Sequence, residues 1–249
     1  MRAFSRISIL LLVAIAAYFM SSCTATRPVA EISAYEGGGY PYGRQGVYHS
    51  VAPGETLWRI SKMYDVDIET IKSANEISDV RGIEIGKELY IPGAAPRKHV
   101  ITLYPSRKWK YIIIHHSATD FGSSKAFNEA HMKRGWQGVG YHFVIDNGTS
   151  GKGDGQIETS PRWIKQQDGA HCKAGDMNKK GIGICLVGNF SQDKVSRRQM
   201  DSLVYLVNKL KDYYRIPKKN IIGHGQVRGA QTECPGKKFP WKTFYSRLN

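Results

Sequence analysis

The apolar and polar positions divide the chain into segments of different period. Residues 111–114, Tyr-Ile-Ile-Ile, form a short β-branched run that ends on two histidines, His115 and His116. A run this short and continuous predicts a strand buried on both faces, and α/β sheets gather their sites at the carboxyl ends of such strands. Residues 181–188, Gly-Ile-Gly-Ile-Cys-Leu-Val-Gly, predict a second central strand, and Ile221-Ile222 a third that delivers His224. Residues 139–146 and the short stretch 154–158 predict further strands on either side of an Asn147-Gly148 turn. Between these runs the period becomes helical. Ser123 and Ser124 cap a helix that runs through Arg134 and stops at Gly135. Ser196 and Gln199 form a capping box, after which Met200, Leu203, Val204, Val207, Leu210 and Tyr214 share one face and read as core. This alternation predicts an α/β domain over residues 109–249, a mixed central β-sheet with flanking helices.

Residues 47–93 repeat the alternation on a smaller scale. Residues 47–51 alternate as a strand, Pro53-Gly-Glu-Thr56 is a turn ending in a helix cap, and Leu57, Ile60 and Tyr64 keep helical spacing. Asp67 caps a second helix over residues 68–75, and residues 85–92 close the unit with another strand. The prediction is a small βααβ domain in which Trp58 reads as core, with an exposed platform for a ligand as the alternative, and the Gly54–Thr56 turn offers backbone amides to a ligand. Residues 94–108, with their Pro and charge, read as an exposed linker. Residues 24–46, which include Gly37-Gly-Gly-Tyr-Pro-Tyr-Gly, read as a flexible tether.

The start of the chain is of another kind. Arg2 and Arg6 precede an apolar stretch over residues 7–20 that is short for a membrane span, so residues 1–23 read as an export signal. Met20-Ser21-Ser22-Cys23 resembles the lipobox of bacterial lipoproteins, with Met where Leu is usual. The resemblance implies lipidation of Cys23 and anchorage in the cell envelope. A plain secretory signal with a coincidental cysteine is the alternative. Thr24 is not the Asp that signals inner-membrane retention, so the expected location in a Gram-negative host is the outer membrane, facing the periplasm.

Charge adds one constraint. The net charge of +15 suggests an anionic partner, but the Lys and Arg are scattered and no nucleic-acid reading motif accompanies them. Nucleic acid is therefore not expected as a partner, and the chain is expected to be a monomer. Of the four cysteines, Cys172 and Cys185 are open between a disulfide and two buried thiols.

The remaining Cys234 lies close after His224. Two strand ends that each present a His, with a Cys near the second, offer ligands that zinc prefers and leave a fourth position for water. Glu158 has acid/base chemistry available, but a solvated place on its strand explains it equally well. His131, inside a helix, reads as a packing or hydrogen-bonding histidine.

Two resemblances extend this reading. Val51-Ala-Pro-Gly-Glu-Thr-Leu-Trp-Arg-Ile-Ser, Ile71-Lys-Ser-Ala-Asn and Ile85-Gly-Lys-Glu-Leu-Tyr-Ile-Pro resemble a LysM module, a family that binds N-acetylglucosamine-containing glycans. Ile112-Ile-Ile-His-His-Ser-Ala-Thr, Gly138-Val-Gly-Tyr-His-Phe-Val-Ile, Gly169-Ala-His-Cys, Met177-Asn178, Gly181-Ile-Gly-Ile-Cys-Leu-Val-Gly-Asn-Phe190, and Gly223-His with Thr232-Glu-Cys-Pro-Gly236 resemble the type 2 N-acetylmuramoyl-L-alanine amidases. That family includes T7-type lysozymes and peptidoglycan recognition proteins. The resemblance implies a Zn2+-dependent peptidoglycan hydrolase with His115, His224 and Cys234 as metal ligands, and His116 structural. It implies Tyr141 and Thr232 as catalytic residues, Thr232 replacing the lysine of T7-type members, and His171 as a substrate-binding or water-orienting residue. A peptidoglycan-binding protein without turnover is the alternative the same resemblance leaves open.

Overall fold

The computed structural model describes residues 28–34 and 43–249. The leader and Cys23, with the lipid anchor they imply, lie outside the described residues.

The smaller domain is built as its pattern predicts. Strand β1 (Val29–Ala34) is followed by β2 (Gln45–Ser50), helices α1 (Leu57–Tyr64) and α2 (Ile68–Ala74), and β3 (Glu88–Ala94). β2 and β3 pair antiparallel. Thr56 caps α1 by accepting from the Arg59 amide, and Asp67 caps α2 by accepting from the Glu69 amide. Leu57, Ile60, Ile71, Leu89 and Ile91 close the core between helices and sheet. Trp58 departs from the core reading: it faces outward, 44% exposed, because Leu57 and Ile60 already occupy the inward face of α1.

The segment read as a linker is a strand, β4 (Lys98–Leu103), paired antiparallel with β1. Val100 packs into the core of the small domain, whereas Ile101 and Leu103 pack into the core of the large one. Successive side chains of a strand point to opposite faces, so one strand serves both domains. Part of the expected tether is its partner β1. The physical reason is local: His99-Val-Ile-Thr-Leu103 is apolar enough to be buried, whatever the Pro and charge on either side.

The large domain contains β5 (Tyr111–His116), α3 (Ser124–Lys133), β6 (Phe143–Asn147), β7 (Asp154–Thr159), α4 (Pro161–Ile164), α5 (Met177–Lys180), β8 (Gly181–Leu186), α6 (Arg197–Tyr214), β9 (Ile221–Gly223) and α7 (Trp241–Ser246). Its five strands lie in the order β7-β6-β8-β5-β9. β5 runs parallel to β8 and β9, β6 runs parallel to β8, and β7 is the antiparallel edge. Ile112, Ile114, Phe143, Ile145, Ile182, Ile184 and Leu186 turn one face toward the apolar stripe of α6. The alternate residues of β5 and β8, among them His115 and Cys185, therefore face the other way. The Ser196–Gln199 capping box forms as expected.

Buried polar side chains join the domains. The Lys152 ammonium lies 3.1 Å from the Glu158 carboxylate, their side chains 3% and 0% exposed, and it donates to the Ser50 carbonyl of β2 at 2.6 Å. Arg97 donates to Gln156 of β7 at 2.8 Å, and the Trp163 indole N–H donates to the Thr102 carbonyl of β4 at 2.7 Å. Glu158, for which a solvated place was an equal alternative, is thus fully enclosed. The Gly54 turn also meets the large domain, since a Cβ there would stand 2.7 Å from Ile164 Cδ1.

Candidate metal centre

Each prospective ligand is delivered by a different piece of backbone. His115 sits near the carboxyl end of β5, His224 directly follows β9, and Cys234 lies in the loop beyond it. β9 pairs in parallel with β5, so both strand ends reach the same edge of the sheet. The Cys234 loop is pinned there by two backbone contacts. The Gly225 amide donates to the Cys234 carbonyl at 2.7 Å, and the His116 amide donates to Cys234 Sγ at 3.3 Å. Gly225 has to be glycine for this approach, because a Cβ would come within 2.4 Å of the Thr232 carbonyl oxygen.

One ligand atom from each of His115, His224 and Cys234 lies within 4.8 Å of the other two. Cys234 Sγ is 3.6 Å from His115 Nδ1. Burial, and then the neighbouring His171 and His224, push the His115 imidazole well below its ordinary value, and burial also lowers His224. Both rings are therefore neutral, the form that binds metals. Burial pushes the Cys234 thiol up to about 12, so a cation between these three groups is what would hold it as thiolate. Two neutral imidazoles, one sulfur and a partly open His224 side fit a zinc ion with a remaining coordination position. His116 is not part of this cluster. Its Nδ1 accepts from the Phe190 amide at 3.1 Å, which turns the ring away and gives it a structural task.

Tyr141 approaches from the segment before β6, its ring centroid 5.3 Å from that of His115. Burial, and then the sulfur atoms of Cys185 and Cys234, push its hydroxyl well above the ordinary phenol value, so it remains a donor. The loop that carries it is held by His131, whose Nδ1 accepts from the Gly140 amide at 3.0 Å. Thr232 is exposed at the rim, and its hydroxyl oxygen accepts from the Cys234 amide at 3.2 Å. His171 stands beside His115. It is buried behind His115, with Nδ1 3.0 Å from His115 Nε2. Sequence reasoning missed Asn178 as a part of this arrangement. Its side-chain oxygen accepts from the amides of His171 and Cys172 at 2.8 and 2.7 Å, and only the quoted Met177-Asn178 pair pointed to it. Cys172 and Cys185 are both free thiols.

Comparison with known proteins places these residues in context. The sequence profile of the N-acetylmuramoyl-L-alanine amidases matches residues 105–237, and that of the LysM domain matches residues 49–92. Peptidoglycan-recognition protein SC2 of Drosophila melanogaster is 32% identical over 136 residues, which cover 51% of this chain and 67% of that protein. The endolysin of Enterobacteria phage K11 is 31% identical over 132 residues, covering 49% and 77%. Among solved structures, the N-acetylmuramoyl-L-alanine amidase LysC from Clostridium intestinale is 32% identical, with 57% of this chain and 87% of that one covered and a TM-score of 0.48.

Proposed function

Because the chain belongs to the N-acetylmuramoyl-L-alanine amidase family, we propose that it hydrolyses the amide between N-acetylmuramic acid and the L-alanine of the peptidoglycan stem, with zinc held by His115, His224 and Cys234. The observation that carries this reading is the convergence of those three ligand atoms, from three separate backbone segments, within 4.8 Å of one another. Zinc bound there supplies Lewis acidity, polarising a carbonyl and acidifying water toward a pKa of about 7. The chain's own groups do the rest. Tyr141, kept protonated, donates to the carbonyl oxygen as negative charge develops on it. Thr232 fixes the Cys234 amide through its oxygen and retains a hydroxyl hydrogen as a second, uncharged donor at the rim. The reaction consumes one water, breaks the C–N bond, and leaves a lactyl carboxylate on the sugar and a free amino group on L-alanine.

The LysM domain supports binding to the glycan part of the same polymer. Since β4 packs into both cores, that domain would present the polymer in a fixed orientation to the catalytic one. Lipidation of Cys23 would place the enzyme in the envelope, beside its substrate.

The test uses residues 24–249 with purified peptidoglycan and mass spectrometry of the soluble products. Stem peptides with a free L-alanine amino terminus, lost with a chelator and in Cys234→Ala, are expected. Co-sedimentation with the polymer and no release in any sample would replace this reading with that of a binding protein.

A further inference from the structure

His171 is buried, and its hydrogen bonds run in one direction. Nε2 faces the Gly181 carbonyl oxygen at 3.3 Å, and Nδ1 faces His115 Nε2 at 3.0 Å. A carbonyl oxygen only accepts, so the hydrogen of a neutral His171 ring sits on Nε2 and its Nδ1 carries a lone pair. That lone pair can only receive the hydrogen of His115 Nε2. His115 is then left with its lone pair on Nδ1, the atom that faces Cys234 Sγ at 3.6 Å.

The surroundings are shaped to keep the ring in this place. A Cβ on Gly183 would stand 2.4 Å from His171 Cδ2, and one on Gly169 would stand 2.3 Å from the same atom. The imidazole thus fills the space that two missing side chains leave against β8. The Asn178 side chain holds the backbone on either side of the ring by accepting from the His171 and Cys172 amides. The His115 and His171 rings meet edge-on at 79°, so the hydrogen bond also fixes the rotation of His115.

We infer that His171 is a positioning residue of the metal centre: through the Gly181 carbonyl it sets the tautomer and orientation in which His115 offers Nδ1 to the metal. This rests on the zinc-amidase reading above and adds to it. Partners of this kind, which take up the outer nitrogen of a metal-binding histidine, typically change metal affinity about 10- to 100-fold when removed.

The experiment measures the zinc dissociation constant of the chain from residue 24 by competition with a chelating indicator, together with KM for peptidoglycan fragments at saturating zinc. His171→Ala is expected to weaken zinc binding by about 10- to 100-fold and to leave KM near the wild-type value. His171→Asn, whose side-chain oxygen replaces the acceptor toward His115, is expected to recover most of the loss and covers the case in which the alanine variant folds poorly. Wild-type zinc affinity with a raised KM in His171→Ala would overturn the inference in favour of a substrate contact. His224→Ala, measured alongside, separates the two levels of the argument. Zinc binding lost in His224→Ala and kept in His171→Ala overturns the positioning role alone. Zinc binding kept in both overturns the metal centre as well.

Discussion

Replacing Lys152 with methionine tests whether the two domains are a single folded unit. The Lys152 ammonium is enclosed between the Glu158 carboxylate, 3.1 Å away, and the Ser50 carbonyl, 2.6 Å away, one on each domain. Glu158 also accepts from the Ser124 amide at 2.6 Å. Burial, and then Glu158 itself, push the adjacent Asp146 carboxyl well above the usual range. Without Lys152, Glu158 keeps one backbone donor and loses its cation. Breaking a buried ion pair by removing one partner costs about 3–5 kcal/mol. The orphaned Ser50 carbonyl adds about 1 kcal/mol. Methionine fills nearly the same volume, so little of this is a cavity effect.

The assay is urea unfolding of residues 24–249, followed by tryptophan fluorescence and by far-UV circular dichroism. Trp109 and Trp163 are buried in the large-domain core, whereas the small domain carries only the exposed Trp58, so the first probe reports mainly on one domain. The wild-type chain is expected to give coincident transitions by both probes. Lys152→Met should lower the unfolding free energy by about 4–6 kcal/mol and separate the two transitions. Glu158→Gln should be destabilising for the mirror-image reason, and the double variant should lose much less than the sum of the singles. A loss below about 1 kcal/mol, the range of solvated surface pairs, with coincident transitions retained, would refute the argument that this pair is buried between the domains.

Two further outcomes follow from single groups. In the proposed mechanism Tyr141→Phe removes one donor to the developing oxyanion and no metal ligand, so kcat should fall by about 100- to 1000-fold while zinc content measured by mass spectrometry stays at the wild-type level. Glu55 reports on pH: burial opposes its ionisation, yet His49, Lys152 and Arg59 hold its carboxyl down, from 4.5 to about 2. A depressed folded-state value means that its stabilisation is complete above about pH 4.5 and disappears as the pH falls toward about 2, an effect on the order of 3 kcal/mol. Urea midpoints at pH 7 and pH 3 should therefore differ more for the wild type than for Glu55→Gln, and equal differences would count against the buried His49–Glu55 contact.

What the sequence disclosed and what it concealed have a common physical cause. Central strands buried on both faces must be apolar and β-branched along their whole length, so residues 111–114 and 181–188 announced β5 and β8, and polar groups at their ends stood out at once. His115, His224 and Cys234 were legible because each lies at or just beyond such an end. β4 was not legible, since its apolar residues are divided between two cores. Val100 serves one, and Ile101 with Leu103 the other, within a segment whose Arg97 and Lys98 resemble those of a spacer.

The same division of labour accounts for buried charged residues that the sequence did not disclose. Lys152, just before the edge strand β7, and Arg97, just before β4, carry no sign of burial in the sequence, because groups that enclose them come from the other domain. For Lys152 that group is the Ser50 carbonyl, and for Arg97 it is the Gln156 side chain. The side of His115 on which His171 stands is likewise set by other parts of the chain. The His171 motif locates it near the metal ligands in the chain's folded order, but not on which side of His115 it lies. That depends on Gly169 and Gly183, whose missing side chains open the space behind the ligand. A histidine motif records chemistry, whereas the absence of two Cβ atoms decides which side of His115 that chemistry occupies.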